Sequence, residues 1–225
     1  MNTTALRLVI GNKTYSSWSM RPWLLLKHLG LEFQEIAVPL HTPDSAEQIA
    51  RYSPSGKVPV LLDGDRVIWE TLAIGEYLAE RDPRVWPADV ALRALARSAA
   101  NEMHAGFTAL RTELPFNCPA RRSGVIPSPA ALAEIKRVVT LWADCRQAAG
   151  GVAGNWLFGA FSFADAMFAP VALRFHSYGI ALPEVAQAYV DTVWADNHVQ
   201  TWIQAARTET ATMPGEERGT AVNDT

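Results

Sequence analysis

The stretch Gly56-Lys57-Val58-Pro59-Val60-Leu61-Leu62-Asp63-Gly64-Asp65-Arg66-Val67-Ile68-Trp69-Glu70-Thr71 decides how the chain is read. Val58–Leu62 and Arg66–Trp69 are apolar runs flanking Asp63-Gly64-Asp65, a strong hairpin-turn signal. Glu70–Glu80 follows as a helix, with Leu72 or Ala73, Ile74, Tyr77 and Leu78 on its inward side. A proline heading a strand suits a sheet edge or a cis bond before it. A cis bond there exposes the Val58 N–H and C=O to an extended peptide, which is recognition by strand addition. Glu70-Thr71 falls at a helix start, where N–H groups point outward. A helix N-terminus with a hydroxyl receives a carboxylate, and an adjacent glutamate holds an ammonium group. Together these features suit the α-amino-acid end of a small peptide. The plain alternative is that Pro59 punctuates a turn and Glu70 is a helix-start charge.

Upstream, Leu6–Ile10 reads as a strand and Gly11–Thr14 as a loop. A helix follows, with Ser17 or Ser19 as N-cap and Pro22 in its first turn. Trp23, Leu24, Leu26 and Leu29 supply a buried face, and Gly30 stops the helix. Phe33–Val38 is a second strand, and Thr42–Tyr52 contains a short helix. The order is βαβ, then α, then ββα. The first unit implies two parallel strands and the hairpin an antiparallel pair. A four-stranded mixed sheet with helices on both faces is expected over 1–82.

Asp82-Pro83-Arg84-Val85-Trp86-Pro87 suits a linker at 83–87. Downstream strand signals fade. Ala88–Leu110, Pro129–Ala149, Phe163–Tyr178 and Pro183–Ala206 are helix-like, so 88–213 reads as an all-α domain. Pro115–Ser128 reads as a loop, and the polar residues 214–225 as a mobile tail.

The whole chain of 225 residues is 49% hydrophobic and 19% charged, with net charge −3. That is a globular composition without the basic footprint of a nucleic-acid binder. Its longest apolar run, Ala166–Leu173, contains Pro170 and falls far short of the ~18 residues a membrane span needs. Met1–Lys13 does not read as a secretion leader. Cys118 and Cys145 make no disulfide framework, and the five histidines have no metal-ligand spacing, so no metal is expected. A reducing cytoplasm is the expected location.

Ser16-Ser17-Trp18-Ser19 places three hydroxyls at the end of the first strand and the start of the first helix. Such hydroxyls donate to an anion, helped by the helix dipole. One of them, Ser19 above all, could serve as a cap only.

Sheet order, Val58-Pro59, Glu70-Thr71 and the helical second half resemble the cytosolic glutathione S-transferases over roughly residues 5–213. Ser16-Ser17-Trp18-Ser19-Met20-Arg21 is similar to the Ser-Ser-Cys-Ser-x-Arg motif of the zeta class, which includes maleylacetoacetate isomerases. Gly159–Asp165 looks like the family's capping box, with Ser162 as cap and Asp165 three residues on. The resemblance implies a thioredoxin-like first domain, glutathione as co-substrate, a small-molecule electrophile and a homodimer, with neither membrane nor nucleic acid as partner. Carried over by position, Ser16 matches the zeta serine facing the glutathione sulfur. Ser17 matches the theta-type serine. Val58, beside Pro59, would bond the cysteinyl backbone, and Glu70 and Thr71 would hold the γ-glutamyl end. Lys57 could pair with a carboxylate, and His41 lies near the region reaching the glycyl carboxylate.

Trp18 stands where the zeta motif has cysteine, which puts isomerase chemistry in question. Met103, His104, Phe107 and Arg111, three or four residues apart on one expected helix, would face the electrophile, unless Met103 and Phe107 are core. His104 and Arg111 could hold an acidic substrate. Asn117 and Arg121 are expected near the mouth. The expected activity is glutathione transfer. Alternatives are a glutathione-dependent cis–trans isomerase and a non-catalytic glutathione-binding module. A thiol–disulfide oxidoreductase would need a cysteine at the first helix.

Overall fold

The computed structural model describes residues 6–222. The first part contains β1 (Leu6–Ile10), α1 (Ser17–Leu29), β2 (Phe33–Ala37), α2 (Ser45–Ala50), β3 (Val60–Asp63), β4 (Arg66–Ile68) and α3 (Thr71–Ala79). Sheet order is β2-β1-β3-β4. β1 pairs with β2 in parallel and with β3 antiparallel, and Val9 faces Val60 in that register. This is the thioredoxin-like βαβ-α-ββα arrangement.

The second part is helical: α4 (Val90–Ala105), α5 (Thr108–Glu113), α6 (Pro129–Ala149), α7 (Phe163–Ser177), α8 (Glu184–Ala195) and α9 (Asn197–Arg207). Two short strands, β5 (Arg122–Ser123) and β6 (Thr220–Ala221), pair antiparallel. No described helix is long and apolar enough to cross a membrane.

One apolar core runs through both parts. Trp23, Leu24 and Ile74 share it with Met103, Phe163, Met167 and Trp202. Residues 83–87 belong to this packing. Pro83–Val85 forms a 3-10 turn, Val85 and Trp86 are buried, and Trp86 meets Phe163 edge-on.

Four local expectations need correction. Ser16, not Ser17 or Ser19, caps α1, its oxygen accepting from the Ser19 N–H. Pro22 therefore sits inside α1 rather than in its first turn, and the Trp18 carbonyl lacks its helical donor. The expected helix 88–110 breaks at Phe107, whose backbone is left-handed at φ 58°. The expected helix 183–206 divides at Asp196, whose carboxylate accepts from the N–H groups of His198 and Val199 and starts a new helix.

The tail is also placed over its described part. Pro214–Glu216 forms a 3-10 turn and β6 joins β5. Residues 223–225 lie outside the described residues.

Candidate functional site

A cleft of about 680 Å³ opens between the start of α1, the loop ahead of β3, α5 and the tail. That volume suits a small-molecule site. Among the expected site residues, Ser16, Ser17, His41, Lys57, Val58 and Arg111 line it.

The first-domain wall is built from a helix end and loops. Ser16 and Ser17 are both almost buried. The Ser16 hydroxyl donates to Ser19 Oγ at 2.7 Å, and Ser19 Oγ accepts from the Gly11 N–H at 3.0 Å. The Ser17 hydroxyl makes no hydrogen bond among the described residues. It sits on the first helical residue, where backbone N–H groups lack intrahelical partners. Across the cleft, the Val58–Pro59 bond is cis, and Val58 lies beyond the last β1–β3 pair. Its N–H and C=O have no partner among the described residues. Pro59 itself is buried, outside the cleft wall.

Glu70 caps α3, Oε1 accepting from the Leu72 N–H at 3.3 Å, while Oε2 pairs with His104 Nε2. Thr71 is buried, and its hydroxyl donates to the Trp18 carbonyl at 3.4 Å. That carbonyl is the one Pro22 leaves without a donor. Neither Glu70 nor Thr71 lines the main cleft.

The other side is built from side chains. Trp18 is its centre: Arg21 lies over the indole at 4.1 Å, Arg111 at 5.0 Å, and His104 meets it edge-on at 5.3 Å. Such contacts favour a cation on the ring face. Arg174, Arg111 and Arg218 line the cleft. Arg174 is held by Nε donating to the Leu114 carbonyl at 2.7 Å and Nη1 to the Pro170 carbonyl. Burial, then the neighbouring Arg111, brings its pKa down to about 10. Arg21 is fully buried, and burial first, then Arg174 and Arg111, hold its pKa well below the usual value. Arg21 Nε donates to the Met167 carbonyl, while Nη1 and Nη2 are buried without partners among the described residues.

Met103 and Phe107 do not face the cleft; both are buried in the core. Asn117 and Arg121 do not reach the mouth either: Asn117 donates to Glu217, and Arg121 to the His176 carbonyl. Sequence reasoning passed over Arg174 and Arg218, and Trp18 entered it only as a departure from a motif. Neither Cys118 nor Cys145 lines the cleft. Burial raises both thiols, that of Cys145 to about 12, so neither is poised as a thiolate.

Arg174 sits on α7, whose N-terminus is fixed by Asp165. There Asp165 is fully buried and accepts from the N–H groups of Leu157 and Ser162 and the hydroxyls of Ser162 and Tyr189.

A thioredoxin-like domain, a helical domain and a cleft at the first helix N-terminus are the features with which known proteins can be compared. Residues 15–81 match the glutathione S-transferase N-terminal domain family, and the curated proteins this chain is similar to include zeta-class members. One relative is a zeta-class glutathione S-transferase of Euphorbia esula, 32% identical over 105 residues, 45% of this chain and 47% of that protein. Another is a probable maleylacetoacetate isomerase of Caenorhabditis elegans, 34% identical over 96 residues, 42% and 44%. The chain spans less than half the length of each of these curated relatives. In fold it resembles a glutathione transferase homolog from Burkholderia crystallised with bound glutathione, at TM-score 0.68 and 24% identity, covering 92% of this chain and 99% of that one.

Proposed function

We propose that this protein is a glutathione transferase that holds the co-substrate's thiolate at the N-terminus of α1. The observation carrying this reading is the unbonded Ser17 hydroxyl on the first residue of that helix, in the same cleft as the unpaired backbone of Val58. Val58 would bond the cysteinyl backbone, Lys57 and His41 would meet the glycyl carboxylate, and Glu70 with the N-terminus of α3 would take the γ-glutamyl end. Ser17 is then the donor to sulfur, and Ser16 keeps the cap.

The energetics suffice. A free thiol titrates near 8.5, and lowering that by about two units takes roughly 2.7 kcal/mol. A hydrogen bond to an anion contributes about 1.5–3 kcal/mol, and a helix N-terminus about 1 more. The serine donates; the peptide's sulfur is the nucleophile.

Arg111 and Arg174 favour a small electrophile bearing a carboxylate. They equally suit the second reading, a cis–trans isomerase in which the thiolate adds to a conjugated acid, rotation follows, and the thiolate leaves. Two assays separate the readings: a chloro-dinitro aromatic and a maleyl-type cis-diene acid, with free thiol followed in both. Thiol loss with the aromatic supports transfer. Isomerised product with thiol unchanged supports isomerisation. A glutathione-induced rise in melting temperature without turnover in either assay supports a binding module. No rise at all overturns the assignment of Val58 and Glu70. A homodimer in the cytoplasm completes the proposal, with the exposed Val67 in edge strand β4 and Trp69 just after it as candidate contacts.

A further inference from the structure

Residues 214–222 cross beside the cleft and contribute Gly215, Glu216 and Arg218 to its wall. At the far end this strap is held by the β5–β6 pairing and by the Val222 N–H donating to the Arg121 carbonyl at 2.9 Å. A ribbon of two residues a side is marginal by itself. Between the cleft and the ribbon lies Glu217. Its Oε1 accepts from the Tyr15 hydroxyl at 2.6 Å and from Asn117 Nδ2 at 2.8 Å, and its Oε2 pairs with Arg122. Arg122 and Glu217 are largely shielded from water, so solvent screens the pair less than a surface bridge.

Glu217 itself does not line the cleft, but Tyr15 does, immediately before Ser16. One carboxylate therefore ties the strap to the approach of α1 and to the loop after α5. The strap's cleft-facing charges, Glu216 and Arg218, lie on the arginine side, and Glu216 acts electrostatically on Arg174.

We propose that Glu217 is a positioning residue: it seats the 214–222 strap as the outer wall of the electrophile side. It thereby sets how tightly the cleft grips whatever is attached to the glutathione sulfur, while glutathione itself is held by the first domain. The inference rests on the glutathione reading above.

Two variants test it from different directions. Glu217→Gln removes the charge at the node. Gly219→Val acts on the ribbon: Gly219 has φ 73°, and a Cβ there would stand 2.5 Å from the Ser123 carbonyl oxygen and 2.8 Å from Val125 Cγ2. Neither position lines the cleft. Calorimetry on the full chain gives Kd for glutathione and for S-(2,4-dinitrophenyl)glutathione, and amide hydrogen exchange reports on 214–222. Both variants should raise exchange across the strap. Both should weaken the dinitrophenyl conjugate about ten-fold, as loss of one preorganised wall predicts, with glutathione changed less than two-fold.

A mobile strap with unchanged conjugate affinity overturns the inference. So does a strap that stays protected in Glu217→Gln, or equal weakening of both ligands. Wild-type protein that binds neither ligand overturns the glutathione reading itself, and this inference with it. If one variant fails to fold, the other still decides the outcome.

Discussion

The two sides of the cleft are made differently. The side proposed to hold glutathione uses the N-terminus of α1, the backbone of Val58, unpaired among the described residues, and the Glu70 cap, all within the first 71 residues. The other side, proposed to face the electrophile, gathers Trp18 from α1, Arg111 from α5, Arg174 from α7 and Arg218 from the tail. One side is assembled by local backbone geometry, so short motifs report it. The other is assembled by tertiary packing, so no short stretch of sequence contains it. On the proposed function, the first side would recognise a fixed peptide and the second would tune specificity through its side chains.

The strongest test of the second side is its foundation at the start of α7. Asp165→Ala removes the acceptor of four hydrogen bonds in a buried site and should cost about 2–4 kcal/mol, measured by urea unfolding. Burial raises the Asp165 carboxyl to about 6 from an ordinary 3.8, against the pull of its four donors. The folded state therefore binds this proton more tightly than the unfolded one. The resulting stability is complete below about pH 4 and is lost as pH rises through 6. Relative to Asp165→Asn, wild type should lose about 2 kcal/mol between pH 4 and 7. A flat difference would mean that the carboxylate stays ionised throughout.

Ser17→Ala tests the first side. Loss of one donor to the thiolate should lower kcat/KM about 10- to 150-fold and shift its pH profile upward, with glutathione Kd nearly unchanged. Ser16→Ala should act mainly on stability, by about 0.5–2 kcal/mol, as a lost helix cap does. If Ser16→Ala has the larger kinetic effect, the two serines exchange roles.

What could be read from sequence follows the same division. The Asp63-Gly64 hairpin, the parallel β1–β2 unit and the Ser162/Asp165 capping box are local patterns, and each appears as expected. The break at Phe107 is invisible because a non-glycine residue adopts the left-handed conformation there. The β5–β6 ribbon joins Arg122 to Ala221 across most of the helical domain, a pairing that polar tail composition does not announce. Arg21 and Arg174 are both buried, on helices far apart in sequence, and only the fold brings Arg174 close enough to act electrostatically on Arg21. Met103 and Phe107 have the right spacing for a cleft face, but spacing alone does not distinguish a cleft from a core.

Arg111→Met sharpens the electrophile side. Arg111 is half-buried in the cleft wall, and burial lowers its pKa. Its loss should reduce kcat/KM for 4-chloro-3-nitrobenzoate about five-fold more than for the neutral chloro-dinitro aromatic, a difference near 1 kcal/mol. Equal losses on both substrates would assign Arg111 to packing rather than anion selection.

The smallest expected effect lies where the two sides meet. Pro22 cannot donate to the Trp18 carbonyl, and the Thr71 hydroxyl supplies that bond instead, linking α3 to α1 beneath the electrophile wall. At 3.4 Å it is long, so Thr71→Val should cost no more than about 1 kcal/mol in stability. With the hydroxyl facing Trp18, glutathione Kd should stay within two-fold of wild type. A ten-fold loss would mean that the hydroxyl turns to the ligand's carboxylate on binding and leaves Trp18 unbonded. Thr71 would then be the residue through which occupancy of the glutathione side is felt at the indole that organises the other.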